Sequence, residues 1–384
     1  MIPYGRQEIS EQDIESVVEV LRSEFLTQGP KVPQFEEELA RYCGARYGVA
    51  VNSATSALHL ACLALDVGPG DSVWTSAITF VASANCARYC GADVDFVDID
   101  PVTYNMSVHA LEQKLIYAKR SGRLPKVVIP VHLAGQSCDM AAIHTLAQEY
   151  DFRVIEDASH AIGSQYQKRY VGSCQYSDIT VFSFHPVKII TTAEGGMALT
   201  NRAALQERMR LLRSHGVTRD DSLMTQKSHG SWYYEQVELG FNYRITDMQA
   251  ALGLSQMRRL DDVVAARNRL AERYDSLLKV LPLTLPARNA DCYSAFHLYI
   301  IRLKRQYAPN HRAIFEALRE RGIGVNLHYI PVYAQPYYRN LGFNDGYCPE
   351  AERYYAEAIT LPLFHHMSEI QQDTVVRALG ELIS

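Results

Sequence analysis

Lys188 lies in the stretch Ile179 to Thr200, ITVFSFHPVKIITTAEGGMALT, between two apolar runs. Against apolar walls a lysine amine is disfavoured in its charged form, and the free amine is the side chain that forms Schiff bases with carbonyl compounds. A lone loop lysine is usually just solvated, so its neighbours decide. Upstream, EDASHA puts Asp157 and His160 at the end of an apolar run. A carboxylate facing a pyridine nitrogen keeps that nitrogen protonated and strengthens the ring as an electron sink. Asp at a strand end is also ordinary helix-capping chemistry. The order strand, Asp157, strand, Ser183, Lys188 is far more specific than either residue alone, and it suits pyridoxal phosphate.

These residues need elements to hold them. Ile179, Val181, Phe182 and Phe184 suit a buried strand, Pro186 stops it, and Met197 to Thr200 can run back as a second strand. Gly48 to Asn52 predicts a strand and Ser53 to Leu65 a helix whose first turn is Ser-Ala-Thr-Ser. Free N–H groups at such a helix start suit a phosphate, although capping alone would explain the same residues. Phe80 is expected in the first turn of the next helix, TFVASANCARYCG, where its ring could lie on an aromatic cofactor or simply join the core. VDFVDID, KVVIPVHL and FRVIED follow as strands, with helices near 109–119 and 141–150 between them. That alternation predicts a mostly parallel sheet covered on both faces, with ligands beyond the carboxyl ends of its strands.

Ahead of this sheet, a helix is expected from Ser10 through Leu21 and another from about Gln34 to Cys43, joined by the extended loop FLTQGPKVP. Beyond it, residues 217–236 are polar with interspersed aromatics and resemble a mobile loop over a site. From about Ser255 a long charged helix links to a C-terminal unit, in which AFHLYIIRL and GIGVNLHYI are expected as strands around RAIFEALRERG, and a helix from Glu369 to Ile383 closes the chain.

With 384 residues, 47% hydrophobic and 21% charged, the chain can bury a sizeable core in two domains. Its net charge of -5 offers no basic surplus for nucleic acid or an anionic membrane. The start lacks an apolar signal core and no stretch approaches a membrane span, so a cytoplasmic protein is expected. The eight cysteines show neither a CxxC pair nor a zinc pattern, and reduced thiols without a metal are expected.

NSATSALHLA, TFVASANC, PVHLAGQSCDM, VIEDASHAIGS, FSFHPVKIITTAEGG, GFNYRITDMQAALG and HYIPVY occur in order along nearly the whole chain. By these stretches the sequence resembles the DegT/DnrJ/StrS family of sugar-nucleotide aminotransferases. The resemblance implies an α/β fold of the type I pyridoxal phosphate (aspartate aminotransferase-like) class. A large mixed-sheet domain over 1–254, a smaller C-terminal α/β domain over 255–384 and a homodimer with shared active sites are expected with it. Lys188 then resembles the Schiff-base lysine and Asp157 the partner of the ring nitrogen. Ala54, Thr55 and Ser183 resemble a phosphate clamp, Phe80 and His160 the residues flanking the ring, and Asn242 a residue reaching the phosphate of the neighbouring subunit.

MIPYGRQ, FLTQGP and HYIPVYAQPYY resemble the branch that aminates C4 of a UDP-linked 4-keto-6-deoxy sugar in pseudaminic acid synthesis, with glutamate as the usual donor. On that resemblance Tyr4, Thr27, Gln28, Gly29, His328, Tyr329 and Tyr333 are expected to touch substrate. A 3-dehydratase of the same family would carry histidine in place of Lys188. A cofactor-binding regulator without turnover is the other alternative, against which the pairing of Asp157 with Lys188 argues.

Overall fold

The computed structural model describes residues 1–383. The chain opens with α1 (Glu11–Leu21), whose first turn is closed by a reciprocal capping box between Ser10 and Asp13, and α2 (Lys31–Cys43) follows. The latter starts one turn earlier than its apolar pattern predicts. Pro33 is tolerated there because first-turn N–H groups have no helical partner, and the Asp247 carboxylate accepts from the Gly29 and Lys31 amides at 2.7 and 2.8 Å.

Next come β1 (Tyr47–Val51), α3 (Ala54–Ala64), β2 (Ser72–Ser76), α4 (Ala82–Tyr89), β3 (Asp93–Val97), α5 (Val108–Ser121), β4 (Val127–Ile129), α6 (Met140–Tyr150) and β5 (Arg153–Asp157). A short hairpin, β6 (Gln165–Tyr166) and β7 (Arg169–Tyr170), leads to β8 (Ile179–Ser183), β9 (Gly196–Thr200) and α7 (Ala203–Arg213). The principal sheet has the order β1-β9-β8-β5-β4-β2-β3, with β9 antiparallel to both its neighbours and the other pairs parallel. The strands are apolar on both sides because helices cover both faces. Phe35, Leu39, Phe182 and Met197 share one cluster, Leu58, Ala61, Val181 and Ala198 a second, and Trp74, Val128, Ile143 and Leu146 a third. Among the described residues no helix is long and apolar enough to cross a membrane, and all eight cysteines are free.

Residues 217–236 form a small hairpin, β10 (Val217–Thr218) with β11 (Glu235–Gln236). Helix α8 (Asp247–Met257) then runs across the expected 254/255 boundary, and α9 (Leu260–Leu278) begins after a short break. Leu260, Val263 and Val264 of α9 pack with α2, whereas Ala271, Tyr274 and Leu278 pack in the C-terminal core. We propose that the two units meet along this helix, which is hydrophobic toward each in turn.

The C-terminal unit holds β12 (Leu283–Thr284), β13 (Cys292–Tyr293), β14 (Tyr299–Leu303), α10 (His311–Glu320), α11 (Pro336–Arg339), α12 (Pro349–Glu357), β15 (Ala358–Leu361) and α13 (Glu369–Ile383). Its sheet runs β12-β14-β15, while β13 leaves it to pair with β6. GIGVNLHYI does not form the expected strand. It makes only isolated bridges, Ile323 to Ile2 and Asn326 to Thr360. The chain's first residues thus lie on the C-terminal unit, where Gly324 is required because a Cβ would meet the Ile2 carbonyl oxygen at 2.8 Å. This crossing brings Tyr4 to the active cavity.

Candidate active site

A cavity of about 610 Å³ opens at the carboxyl ends of β5 and β8 and is closed on its far side by the C-terminal unit. Lys188, Asp157, His160, Ser183, Phe80, Ala54 and Thr55 line it together with Tyr4, His328 and Tyr329. Parallel pairing of β5 with β8 sets Asp157 opposite Val181, so the acid and Ser183, two residues further along, emerge at the same edge.

Each group is held in a definite state. The Asp157 carboxylate accepts from the Ser83 hydroxyl at 2.6 Å on one oxygen, and from the Ser159 hydroxyl at 2.6 Å and amide at 3.1 Å on the other. Burial lowers the Lys188 amine to about 8, against an opposing pull from Asp157. His160 is pushed well below the usual imidazole range by burial, with Lys188 and His328 adding to the effect. Its Nδ1 accepts from the Ala134 amide at 3.3 Å, which leaves the proton on Nε2, 3.1 Å from the Tyr329 hydroxyl. Burial lowers His328 to about 3 and raises the Tyr4 and Tyr329 hydroxyls. The wall near Lys188 is therefore neutral and hydrogen-bonded.

The start of α3 lines the same cavity. Ser53 caps this helix by accepting from the Ser56 amide at 3.1 Å, and the amides of Ala54 and Thr55, both lining residues, have no helical partners. Strand β9 approaches so closely that a Cβ on Gly196 would sit 2.5 Å from the Ala54 nitrogen. The second glycine of AEGG is thus what lets the strand run beneath this helix start.

Three expectations need correction. Tyr333 does not line the cavity: it is 1% exposed, and its hydroxyl donates to Glu352 at 2.7 Å. Its bulk fills the core beside Phe96, which outweighs any use of the hydroxyl at the surface. Phe80 precedes α4 rather than sitting in its first turn, and its ring is exposed. None of residues 217–236 lines the cavity of their own chain. Thr27, Gln28, Gly29 and Asn242 are also away from it, but they are together: Thr27 bridges Thr246, and Asn242 precedes Tyr243 and Arg244, which bond to Asn52 and Val51. Sequence reasoning missed Ser83, Ser159 and His297. A serine two residues after an aspartate is a recognisable turn signal. His297, with its ring 4.4 Å from that of His160, sits in an apolar run that gave no sign of it.

The model of the DegT/DnrJ/EryC1/StrS aminotransferase family matches residues 7–380. The chain belongs to that family. The aminotransferase is 40% identical over 386 residues to the spore coat polysaccharide biosynthesis protein SpsC of Bacillus subtilis, covering 100% of this chain and 97% of that protein. It is 37% identical over 369 residues to the UDP-4-amino-4,6-dideoxy-N-acetyl-beta-L-altrosamine transaminase of Campylobacter jejuni, covering 96% and 94%. Helicobacter pylori PseC, an aminotransferase in pseudoaminic acid biosynthesis, superposes with a TM-score of 0.91 at 32% identity, covering 100% of this chain and 99% of that one. The fold is the type I fold of pyridoxal phosphate enzymes, and this enzyme is a pyridoxal phosphate-dependent sugar-nucleotide aminotransferase.

Proposed function

We propose that this aminotransferase moves an amino group from glutamate to C4 of a UDP-linked 4-keto-6-deoxy-N-acetylhexosamine, in nucleotide-sugar biosynthesis of the pseudaminic acid type. The observation that carries the reaction class is the convergence of a neutralisable lysine, a fixed carboxylate and a free helix start on one cavity. The choice of sugar is supported by the names of the Campylobacter and Helicobacter relatives. SpsC supports a second reading, a different keto sugar on the same chemistry.

The cavity suits the cofactor. A volume of about 610 Å³ falls within the range of small-molecule sites, and its lining offers an anion-binding helix start and an acceptor-only carboxylate. The Ala54 and Thr55 amides and the Ser183 hydroxyl would hold the phosphate, Asp157 the ring nitrogen, and Phe80 and His160 the ring faces. When bound, pyridoxal phosphate supplies the electron sink for amino-group transfer. Lys188 would supply the carbonyl-reactive amine and, once free, would move on Nζ the proton that the donor carbon loses in one half-reaction and the proton that the sugar carbon gains in the other. Ser83 and Ser159 keep Asp157 oriented, and Tyr4, His328 and Tyr329 form the substrate wall and limit water.

We further propose a homodimer with shared sites. Thr27, Gln28 and Asn242 are exposed, as are the neighbouring Phe25 and Leu26, and an exposed surface of this kind supports contact with a second copy. We place the enzyme in the cytoplasm, which accords with its free thiols. Product analysis tests the substrate: purified enzyme, glutamate and a panel of UDP-keto sugars should give a 4-amino sugar and 2-oxoglutarate. Amination at C3, or turnover confined to another donor, would replace this reading.

A further inference from the structure

Two motif residues remain outside the catalytic account: His132 of PVHLAGQSCDM and Glu156 of VIEDASHAIGS. Glu156 directly precedes Asp157 on β5, and strand alternation turns its side chain to the opposite face of the sheet. It is 5% exposed, His132 is wholly buried, and the two meet at 2.8 Å between Oε2 and Nε2. On its other oxygen Glu156 accepts from the Thr180 hydroxyl at 3.0 Å and from Ser177. One carboxylate therefore ties three adjacent strands, β4 through His132 in the loop beyond it, β5 itself and β8 through Thr180, one residue before the acid assigned to the cofactor.

The tautomer follows from the loop beyond β4. His132 Nδ1 accepts from the Cys138 amide at 3.1 Å, so the proton is on Nε2 and points at Glu156. That bond closes the loop 132–138, whose Ala134 amide donates to His160. The His132 amide meanwhile donates to the Asp157 carbonyl at 3.1 Å. The dyad thus reaches the cavity by two routes, through the main chain of Asp157 and through the loop that orients His160.

We propose that Glu156 and His132 are positioning residues for the cofactor site: a buried imidazole–carboxylate dyad on the far face of the sheet that sets Asp157 and His160 against the pyridine ring. This rests on Asp157 serving the ring nitrogen. A buried, fully satisfied polar network specifies one arrangement of the groups it joins, and a partly satisfied one does not. Glutamine at 156 cannot accept from Nε2–H and both hydroxyls as a carboxylate does, so the three strands lose their common anchor.

The test compares Glu156→Gln, His132→Gln and the double variant with Leu146→Ala, which removes apolar bulk from the cluster on the same side of the sheet. Each holoenzyme is measured for cofactor dissociation, the pH dependence of its visible absorbance, kcat and KM, and melting temperature. Both single variants should weaken cofactor binding about tenfold or more, by analogy with residues that orient ligand groups from behind. They should also shift the absorbance titration and lower kcat more than KM. The double variant should lose no more than either single one. Leu146→Ala should melt earlier yet keep the wild-type absorbance titration. Should Glu156→Gln not fold, Thr180→Val removes one donor at nearly constant shape and should move the same readouts less far. If the dyad variants melt early but keep wild-type affinity and absorbance titration, the dyad is structural only and the proposal is overturned. Asp157→Asn separates the premises: an unchanged absorbance titration there would instead remove the role given to Asp157.

Discussion

The Lys188 amine titrates near 8 because burial outweighs the attraction of Asp157. The attacking form is the free amine, so its fraction rises about tenfold per unit as pH approaches 8 and then levels. Capture of added pyridoxal phosphate by apoenzyme, followed by rapid-mixing absorbance, should show that profile. A rate still climbing toward the ordinary lysine value of 10.5 would mean a solvated side chain. Borohydride reduction of the holoenzyme followed by peptide mapping should place the cofactor on Lys188. Lys188→Ala should lower kcat by about a thousandfold or more while leaving the melting temperature near that of wild type. Label on another lysine would displace the assignment. The same residue illustrates what was legible beforehand: an amine between apolar runs, downstream of Asp157, is visible in one dimension. The groups around the pair are not, because Ser83, which bonds Asp157, and His297, which lines the cavity, come from distant segments and arrive only after folding.

At the scale of elements, β9 and α3 form a unit that depends on Gly196. A methyl group there would lie 2.5 Å from both the Ala54 nitrogen and the Ser53 carbonyl carbon, and backbone must move to admit it. Gly196→Ala should destabilise the apoenzyme by about 1–3 kcal/mol and should also weaken cofactor binding, since the shifted backbone carries the phosphate amides. Thermal unfolding and cofactor titration together check this, and wild-type affinity would separate the strand from the phosphate site. The Glu156 dyad gives a pH signature at the same scale. Burial raises its carboxyl, but His132, Ser177 and Thr180 outweigh that and hold it below the usual range. A depressed folded value means that its contribution is complete above the unfolded carboxylate value and is lost as pH falls through the folded one. The stability gap between wild type and Glu156→Gln should thus be full near neutrality and close as the medium is made acidic. A gap that stayed constant down to pH 3 would show that the carboxylate's charge is not its source.

For the whole molecule, Asn242 and the Thr27–Gly29 loop share a surface outside their own cavity. If that surface completes the partner's site, inactive Lys188→Ala and Asn242→Ala chains should complement. Random exchange makes half the dimers mixed, each with one intact site, so about a quarter of wild-type activity should return. Subunit exchange followed by mass spectrometry and activity assay measures it. Mixed dimers without activity would confine each site to one chain.

The sequence by itself determined the alternation of strands and helices, the Lys188 and Asp157 pair, the capped start of α3 and the closing helix Glu369–Ile383. All of these are written in local periodicity, capping or residue chemistry. The sheet order, the crossing of the first residues to the C-terminal unit, the burial of Tyr333 and the dyad behind Asp157 were decided only in three dimensions. GIGVNLHYI shows the reason: its β-branched pattern suits a strand, yet on the open edge of β15 only Thr360 bridges Asn326, while the Ala358 carbonyl accepts from the His311 imidazole at 2.8 Å. Local pattern states what a segment can form, but pairing partners and competition for burial settle what it does form.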